Sequence, residues 1–260
     1  MKLSCALLAC DANEKYLSFW PYVRKAWNNI IGIPAVMVFI GDEKPAHLAD
    51  DPWVQLFKPV ACWPTATQAQ MIRLLYPSLI QCDGAIVIGD MDCIPLNRDF
   101  FHSHFAAASE NQFVSTKAPM ESCAEVAIMY VGATSDTWRD MFNIRSLDEV
   151  RQRMEVWAKS YSSDGQHGGL GWTSDQLQLY RKVAEWNKRC PERLAISSWA
   201  WDYPRLDRGM PYEWLSMTPF LESRLRYSHY IDFHCPPLEQ FRQQIEEVLR
   251  VAEEISRQVK

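Results

Sequence analysis

The stretch that decides the fold is Ala85-Ile-Val-Ile-Gly-Asp90-Met-Asp92-Cys-Ile-Pro95, in which an apolar run leads directly into two aspartates. A short run of this kind predicts a strand buried on both faces, as in a parallel sheet. Ligands of such sheets bind beyond the carboxyl ends of the strands. In an extended segment Asp90 and Asp92 project to the same side, where one cation would neutralise both. The pattern therefore predicts a divalent metal site at this edge.

The chain before this stretch alternates strands with helices. Apolar runs at Leu3–Cys10, Pro34–Ile40 and Trp53–Phe57 predict strands, and the apolar residues from Tyr16 to Ile30 recur at helical spacing. Leu3–Cys10 also resembles a short lipoprotein signal, but the alternation favours a first strand. This order predicts an α/β fold with a mostly parallel central sheet flanked by helices.

Capping patterns and helical spacing predict the later helices. Thr65-Ala-Thr-Gln68 is typical of a capping box that opens a helix through about Tyr76, and Ser146-x-x-Glu149 and Thr173-x-x-Gln176 suggest two more helix starts. The apolar positions from Phe241 to Val259 alternate in steps of four and three. They predict an amphipathic C-terminal helix that packs on the domain rather than pairing as a coiled coil.

The second half of the chain is less regular. Val126–Val131 predicts a strand, and Tyr161–Trp172 holds four of the ten glycines and predicts a mobile loop. We expect a single domain of two unequal halves, with a ligand site at the strand ends of residues 1–100. Residues 101–237 would complete the site, and residues 238–260 would form the C-terminal helix.

Composition excludes several classes of protein. The 260 residues include 27 Lys and Arg and 32 Asp and Glu, which gives a net charge of −5, and 48% are hydrophobic. These values are typical of a globular protein and not of a disordered one. The lack of a Lys/Arg block argues against nucleic acid as a partner, and no apolar run is long enough to span a membrane. Eight cysteines without C-x-x-C spacing indicate free thiols and a reducing, cytoplasmic compartment.

Together these motifs resemble a known enzyme family. Gln70-Met-Ile-Arg73-Leu-Leu-Tyr-Pro77-Ser-Leu-Ile80, followed by a strand and the D-x-D motif, resembles glycosyltransferases of the GT-A fold, in the glycogenin-like and lipooligosaccharide-galactosyltransferase group. Pro64–Gln70 and Pro95–Arg98 are most similar to the small enzymes that chlorella viruses encode for capsid glycans. The resemblance extends from Leu3 to about Pro237.

The resemblance implies a role for each matching residue. Asp92 would bind a divalent metal, Mn²⁺ or Mg²⁺, that bridges the nucleotide diphosphate, and Asp90 would contact the ribose, the metal or both. His234, in Asp232-Phe-His-Cys-Pro236, matches a histidine that binds the same metal. The positions implied for binding the donor, a UDP-sugar, are Asp11, Gln68 and Arg73. Asp175 and Gln176 match an Asp-Gln pair that faces the donor sugar and the glycan acceptor.

The physical chemistry of transfer agrees with that set. A leaving diphosphate needs cationic stabilisation, which an acidic protein supplies through a metal and arginines such as Arg73, Arg205 and Arg208. An inverting enzyme requires a carboxylate base, for which Asp175 is the candidate. The glycogenin-like resemblance favours retention instead, with the leaving phosphate accepting the proton.

Two alternatives from other classes stay open. A sugar nucleotidyltransferase also uses a metal-binding aspartate, but it requires a glycine-rich basic loop after the first strand, where this chain has Asp11-Ala-Asn-Glu-Lys15. A non-catalytic carbohydrate-binding protein would use the 11 tryptophans as stacking surfaces, yet it needs no D-x-D motif. Metal-dependent release of a nucleoside diphosphate distinguishes all three.

Overall fold

The computed structural model describes residues 1–115, 124–196, 204–209, 218–227 and 229–258, which form a mixed α/β structure. Its strands are β1 (Leu3–Cys10), β2 (Ala35–Ile40), β3 (Val54–Phe57), β4 (Ala85–Ile88), β5 (Cys93–Pro95), β6 (Phe113–Ser115), β7 (Gly132–Thr134), β8 (Leu194–Ile196), β9 (Arg205–Asp207) and β10 (Asp232–His234). Its α-helices are α1 (Glu14–Leu17), α2 (Trp20–Ala26), α3 (Thr65–Ile72), α4 (Arg98–Ala106), α5 (Ser135–Phe142), α6 (Leu147–Ser160), α7 (Ser174–Arg189), α8 (Pro219–Arg226) and α9 (Leu238–Gln258).

The central sheet is mostly parallel, as predicted. Within the described residues it has seven strands in the order β3-β2-β1-β4-β7-β6-β8. Strands β3, β2, β1 and β4 are parallel, whereas β7 is antiparallel to both of its neighbours. Alternate residues of β1 face opposite sides, so that Leu8 packs in one buried cluster and Leu7 in another. Burial on both faces explains the continuous apolar runs of these strands.

The strand predicted over Val126–Val131 is wrong. The regular strand is β7, which begins at Gly132. The residues just before it lie beside β4 but do not form a regular strand. Tyr130 has a φ of 63°, which an extended strand cannot accommodate, although its N–H still donates to the Ile88 carbonyl at 2.8 Å. The apolar run alone could not reveal this left-handed position.

The predicted helices are present at the expected positions, but not every predicted N-cap residue makes a capping hydrogen bond. Ser146 caps α6 as expected, because its hydroxyl accepts from the Glu149 N–H at 3.2 Å. Helix α3 begins at Thr65 without a side-chain cap and ends at Ile72 rather than near Tyr76. Its Thr65 hydroxyl donates instead to Asp11 Oδ2 at 2.8 Å. Helix α7 follows Thr173, which makes no side-chain capping bond either.

The C-terminal helix packs on the domain. Ile245, Val248 and Leu249 of α9 are buried in the same apolar cluster as residues of α2. Val259, the last position of the predicted pattern, lies outside the described residues. Of the helices in the described part of the chain, none has the length and apolar character needed to cross a bilayer.

A second, smaller sheet carries the later part of the site. Its strand order is β5-β10-β9, with β10 antiparallel to β5 and parallel to β9. Asp232 in β10 is fully buried and accepts from Tyr130 Oη at 2.8 Å and from Arg205 Nε and Nη2 at 2.9 and 2.7 Å. The Tyr130 bond ties the small sheet to the chain that borders β4.

We predict that Tyr130→Phe destabilises the protein by about 1–3 kcal/mol, because the buried Asp232 carboxylate loses one of its donors. The midpoint of urea unfolding should fall while the denaturant dependence stays the same. Tyr227→Phe is the control, since Tyr227 is 82% exposed and its loss should leave the midpoint unchanged. Equal midpoints for the two variants would contradict this account of how the small sheet is held.

Candidate active site

A cavity of about 240 Å³ lies at the carboxyl ends of β1 and β4. Residues after β1, after β4 and at the start of α7 line it, together with residues of α3 and the small sheet. Of the predicted site residues, the structure brings eight together here: Asp11, Arg73, Asp90, Asp92, Asp175, Gln176, Arg208 and His234. The position agrees with the expectation that ligands of such a sheet bind beyond the carboxyl ends of its strands.

The buried guanidinium of Arg73 joins the two halves of this cavity. Arg73 is 6% exposed, and its Nη1 donates to Asp90 Oδ1 and, at 3.0 Å, to the Gly89 carbonyl. Its Nη2 donates to Asp175 Oδ2 at 3.0 Å. Arg73 thus links the end of β4 to the first turn of α7.

The two acids of the D-x-D motif have different partners. Asp90 lies just after β4 and Asp92 in the turn before β5, where the sequence predicted extended chain. Asp90 pairs with Arg73, whereas Asp92 Oδ2 lies 3.3 Å from Arg208 Nη1 and 3.6 Å from His234 Nε2. Ligation of one cation by both Asp90 and Asp92 stays a prediction.

The strand register of the small sheet sets the orientation of His234. His234 is paired with Asp207 across the parallel strands β10 and β9, and its Nδ1 lies 3.0 Å from Asp207 Oδ2. This bond leaves Nε2 directed towards Asp92, the arrangement by which a carboxylate orients a metal-binding imidazole. Burial lowers the pKa of His234, but hydrogen bonds to Asp92 and Asp207 outweigh it and raise the pKa above its ordinary value.

The donor atoms around Asp92 fit a divalent cation. Burial raises the pKa of Asp92, yet its hydrogen bond to His234 and the charges of His234 and Arg208 hold the pKa below its usual value. An ionised carboxylate and an imidazole suit Mn²⁺, and Mg²⁺ less well. Cys93 is adjacent, but burial raises the pKa of its thiol well above the usual range. The thiol is therefore neutral and offers no ligand to a hard cation.

Asp175 occupies a different electrostatic environment. It is 2% exposed, its Oδ2 accepts from Arg73, and its Oδ1 accepts from the Gln176 N–H at 2.8 Å. Burial, with the nearby charge of Asp90, raises the pKa of Asp175 to about 6 although Arg73 opposes the change. This carboxyl group is held in place by both of its oxygens.

The glycine-rich loop, residues 161–172, covers one side of the cavity. His167 Nδ1 lies 2.9 Å from Tyr16 Oη, and the His167 ring lies 4.4 Å from the Trp172 ring. Gly165 has a φ of 70° and sits so close to Pro64 that an added Cβ would lie 2.7 Å from the Pro64 Cβ. These contacts hold the loop against α1 and the residue before α3.

Two predicted residues lie apart from the cavity lining. Gln68, expected to contact the donor, is fully buried, and its amide bonds the backbone of Val60 and Trp63 at 2.7–3.0 Å. It stabilises the turn before α3. Arg205, expected to add charge near phosphates, pairs with Asp232 instead. Arg208 is the arginine of this segment that reaches the cavity.

Sequence reasoning missed Asp207, Tyr16 and Trp172. A signal for Asp207 exists in retrospect, because Arg-x-Asp at 205–207 and Asp-x-His at 232–234 place complementary charges at alternate positions of two strands. Tyr16 and Trp172 carry no comparable signal, since aromatic residues at helical or loop positions are usually part of a core.

No family model matches the sequence, and no curated protein matches it. The structure is similar to that of the glycosyltransferase GlyE of Streptococcus pneumoniae TIGR4, with 10% identity, a TM-score of 0.46, and coverage of 99% of this chain and 63% of that one. It is similar to the galactosyltransferase LgtC, solved with donor and acceptor sugar analogues, with 9% identity, a TM-score of 0.48, and coverage of 96% and 95%. The chain thus spans less than two thirds of the length of GlyE. Likenesses at this level do not determine an activity.

The raised pKa of Asp175 predicts a specific pH dependence of stability. A carboxyl that holds its proton more tightly when folded stabilises the protein fully below about pH 4, and that stabilisation is lost as the pH rises through about 6. Relative to Asp175→Asn, the wild type should therefore lose roughly 3 kcal/mol of unfolding free energy between pH 4 and about pH 7. Urea unfolding at several pH values measures the difference.

Asp42→Asn serves as the control, because Asp42 is exposed. The unfolding free energy of this variant should depend on pH in the same way as that of the wild type. Parallel profiles for the wild type and Asp175→Asn would contradict the raised pKa.

Proposed function

We propose that this protein is a metal-dependent glycosyltransferase of the GT-A fold. It would transfer a sugar from a nucleoside-diphosphate sugar, a UDP-sugar, to a hydroxyl group of a glycan acceptor, with retention of configuration. The observation that carries the proposal is one cavity, at the carboxyl ends of parallel strands, that gathers the D-x-D acids, an oriented imidazole and two arginines. Its location and its charges suit a diphosphate and a cation.

Asp92 and His234 would hold the metal, Mn²⁺ in preference to Mg²⁺. Bound there, the cation supplies charge that stabilises the leaving diphosphate. Asp207 would keep His234 Nε2 directed at Asp92, and the partial burial of Asp92 and His234 strengthens the electrostatic contact between them. Asp90 is held by Arg73, so its role would be to fix the turn and contact the ribose rather than to bind the metal.

Donor binding would use residues that line the cavity on the β1 side. Asp11 follows β1, and its carboxylate is oriented by Thr65 Oγ1 at 2.8 Å and the Asn13 N–H at 3.1 Å. It would accept hydrogen bonds from the nucleoside. Arg208 would turn from Asp92 to the diphosphate once a metal takes its place. The loop of residues 161–172 would exclude water from the sugar.

The position of Asp175 supports retention. A general base needs a free oxygen near the acceptor hydroxyl, but both oxygens of Asp175 already accept hydrogen bonds, and the side chain is buried. Asp175 and Gln176 would therefore orient the donor sugar and the acceptor. The leaving phosphate would accept the proton of the acceptor hydroxyl.

The division of labour along the chain is part of this proposal. Residues 1–100 would bind the nucleotide and residues 101–237 the acceptor, with the Arg73–Asp175 ion pair as one of the contacts between the two parts. A reducing, cytoplasmic setting suits the free thiols. The nucleotidyltransferase and carbohydrate-binding alternatives are outcomes of the same assay, because only transfer releases a nucleoside diphosphate with a glycosylated product.

We predict that UDP stabilises the protein only when Mn²⁺ is present. At a concentration 100 times its dissociation constant, UDP should add about 2.7 kcal/mol to the unfolding free energy. Asp92→Asn and His234→Gln should abolish this gain while they keep the fold, since both side chains lie at the cavity and not in the core. Thermal unfolding with and without EDTA measures it.

His47→Gln provides the control, because His47 is exposed and far along the chain from the site residues. Equal stabilisation by UDP in EDTA would overturn the metal assignment.

Arg208→Gln should change two affinities in opposite directions. The variant lacks the Arg208 guanidinium, which competes with Mn²⁺ for Asp92. Mn²⁺ alone should therefore bind several-fold more tightly. UDP in the presence of Mn²⁺ should bind about tenfold or more weakly, because a charge-assisted hydrogen bond to the diphosphate is lost. Calorimetric titrations of each ligand measure both effects.

Arg145→Gln, at an exposed arginine, should leave both affinities unchanged. A fall in both affinities for Arg208→Gln would show that Arg208 supports the site instead of contacting the donor.

A further inference from the structure

A sulfur donor lies directly beside the Asp92–His234 pair. In the described part of the chain, Asp92, Cys93 and His234 each offer one ligand atom, and these atoms all lie within 4.8 Å of one another. Cys93 is opposite His234 in the antiparallel β5–β10 register, so the two side chains project from the same face of the small sheet. Cys93 is 2% exposed and does not line the cavity. It closes the inner side of the pair.

The two oxygens of Asp92 face different partners. Oδ2 lies 3.3 Å from Arg208 Nη1 and 3.6 Å from His234 Nε2. Oδ1 lies 3.9 Å from Cys93 Sγ. A cation bound among these atoms would have carboxylate, thiol and imidazole donors. Met129 Sδ, 3.6 Å from Cys93 Sγ, adds a second polarisable sulfur to this side.

We propose that Asp92, Cys93 and His234 form a zinc site. The inference rests on the proposed function in one respect, that Asp92 and His234 are metal ligands. Thiolate, imidazole and carboxylate, with a fourth position for water, are donors that Zn²⁺ binds well, whereas Mn²⁺ and Mg²⁺ gain little from sulfur. As zinc binds, the S–H bond breaks, the sulfur electron pair forms the S–Zn bond, and the proton passes to solvent.

A zinc ion bound here competes with the cation that the donor needs. Both ions use Asp92 and His234, so zinc held by Cys93 withholds these two ligands from Mn²⁺. Zinc should therefore abolish the Mn²⁺-dependent binding of UDP, and this inhibition should weaken when the thiol is removed. The site makes nucleotide binding sensitive to zinc through a residue outside the donor cavity.

Two titrations of the 260-residue protein in a phosphine reductant test the proposal. Cd²⁺, which reports thiolate ligation, should give a sulfur-to-metal charge-transfer band in the ultraviolet, measured as a difference spectrum against the metal-free protein. Zn²⁺ affinity, measured against a chromophoric chelator, should fall at least about tenfold in Cys93→Ser, the loss that even an outer partner of a ligand causes. The variant should lack the Cd²⁺ band and keep its Mn²⁺ affinity.

Cys235→Ser is the matched control. Cys235 is equally buried and follows His234, but its Sγ contacts the Phe233 carbonyl at 3.5 Å, and it does not belong to the group of Asp92, Cys93 and His234 in the described part of the chain. This variant should keep the band and the zinc affinity. Absence of the band in the wild type, or wild-type zinc affinity in Cys93→Ser, overturns the zinc site. If the band is present but Mn²⁺ never supports UDP binding, the proposed function fails and the zinc site stands.

Discussion

Each carboxylate buried at the edge of the central sheet requires a positively charged side chain beside it. This requirement determines how the segments around the cavity are joined. The central example is Arg73, whose guanidinium lies between Asp90 and Asp175 and is almost fully buried. One partner follows β4 and the other begins α7, so this ion group joins segments about a hundred residues apart. Breaking such a group leaves an uncompensated buried charge, which costs about 3–5 kcal/mol. The cavity keeps its shape because these charges cannot separate.

A second set of charges fixes the small sheet. In the parallel register of β9 and β10, Arg205 lies opposite Asp232 and Asp207 lies opposite His234. A slip by one residue would place each charge against the wrong face, so both pairs specify the same register. The pairing that holds the strands together therefore also aims the imidazole into the cavity. Stability and site geometry depend here on the same four side chains.

The sequence was sufficient for whatever depends on local pattern. The apolar runs of β1 and β4 predicted a mostly parallel sheet, because strands buried on both faces consist almost entirely of apolar residues. The same runs predicted that Asp11 and Asp90 lie at the carboxyl ends of these strands. The sequence could not reveal which charges pair. The turn that separates Asp90 from Asp92 and the left-handed Tyr130 are consequences of tertiary contacts. The role of Gln68 was hidden for the same reason, since a buried amide and a ligand-binding amide are identical in sequence.

The two acids of the motif differ in how readily they can exchange a partner. Asp90 is bound to Arg73, which is 6% exposed and also bonds a backbone carbonyl and Asp175. If Arg73 and Asp90 separated, both charges would remain buried without a partner. Asp92 is bound to Arg208, whose side chain is 38% exposed and can therefore be solvated by water when it leaves Asp92. An incoming cation therefore displaces Arg208 far more easily than Arg73. On this argument the proposed metal would be bound by Asp92, while Asp90 holds the site together through Arg73, and the displaced Arg208 would be free for an anionic ligand.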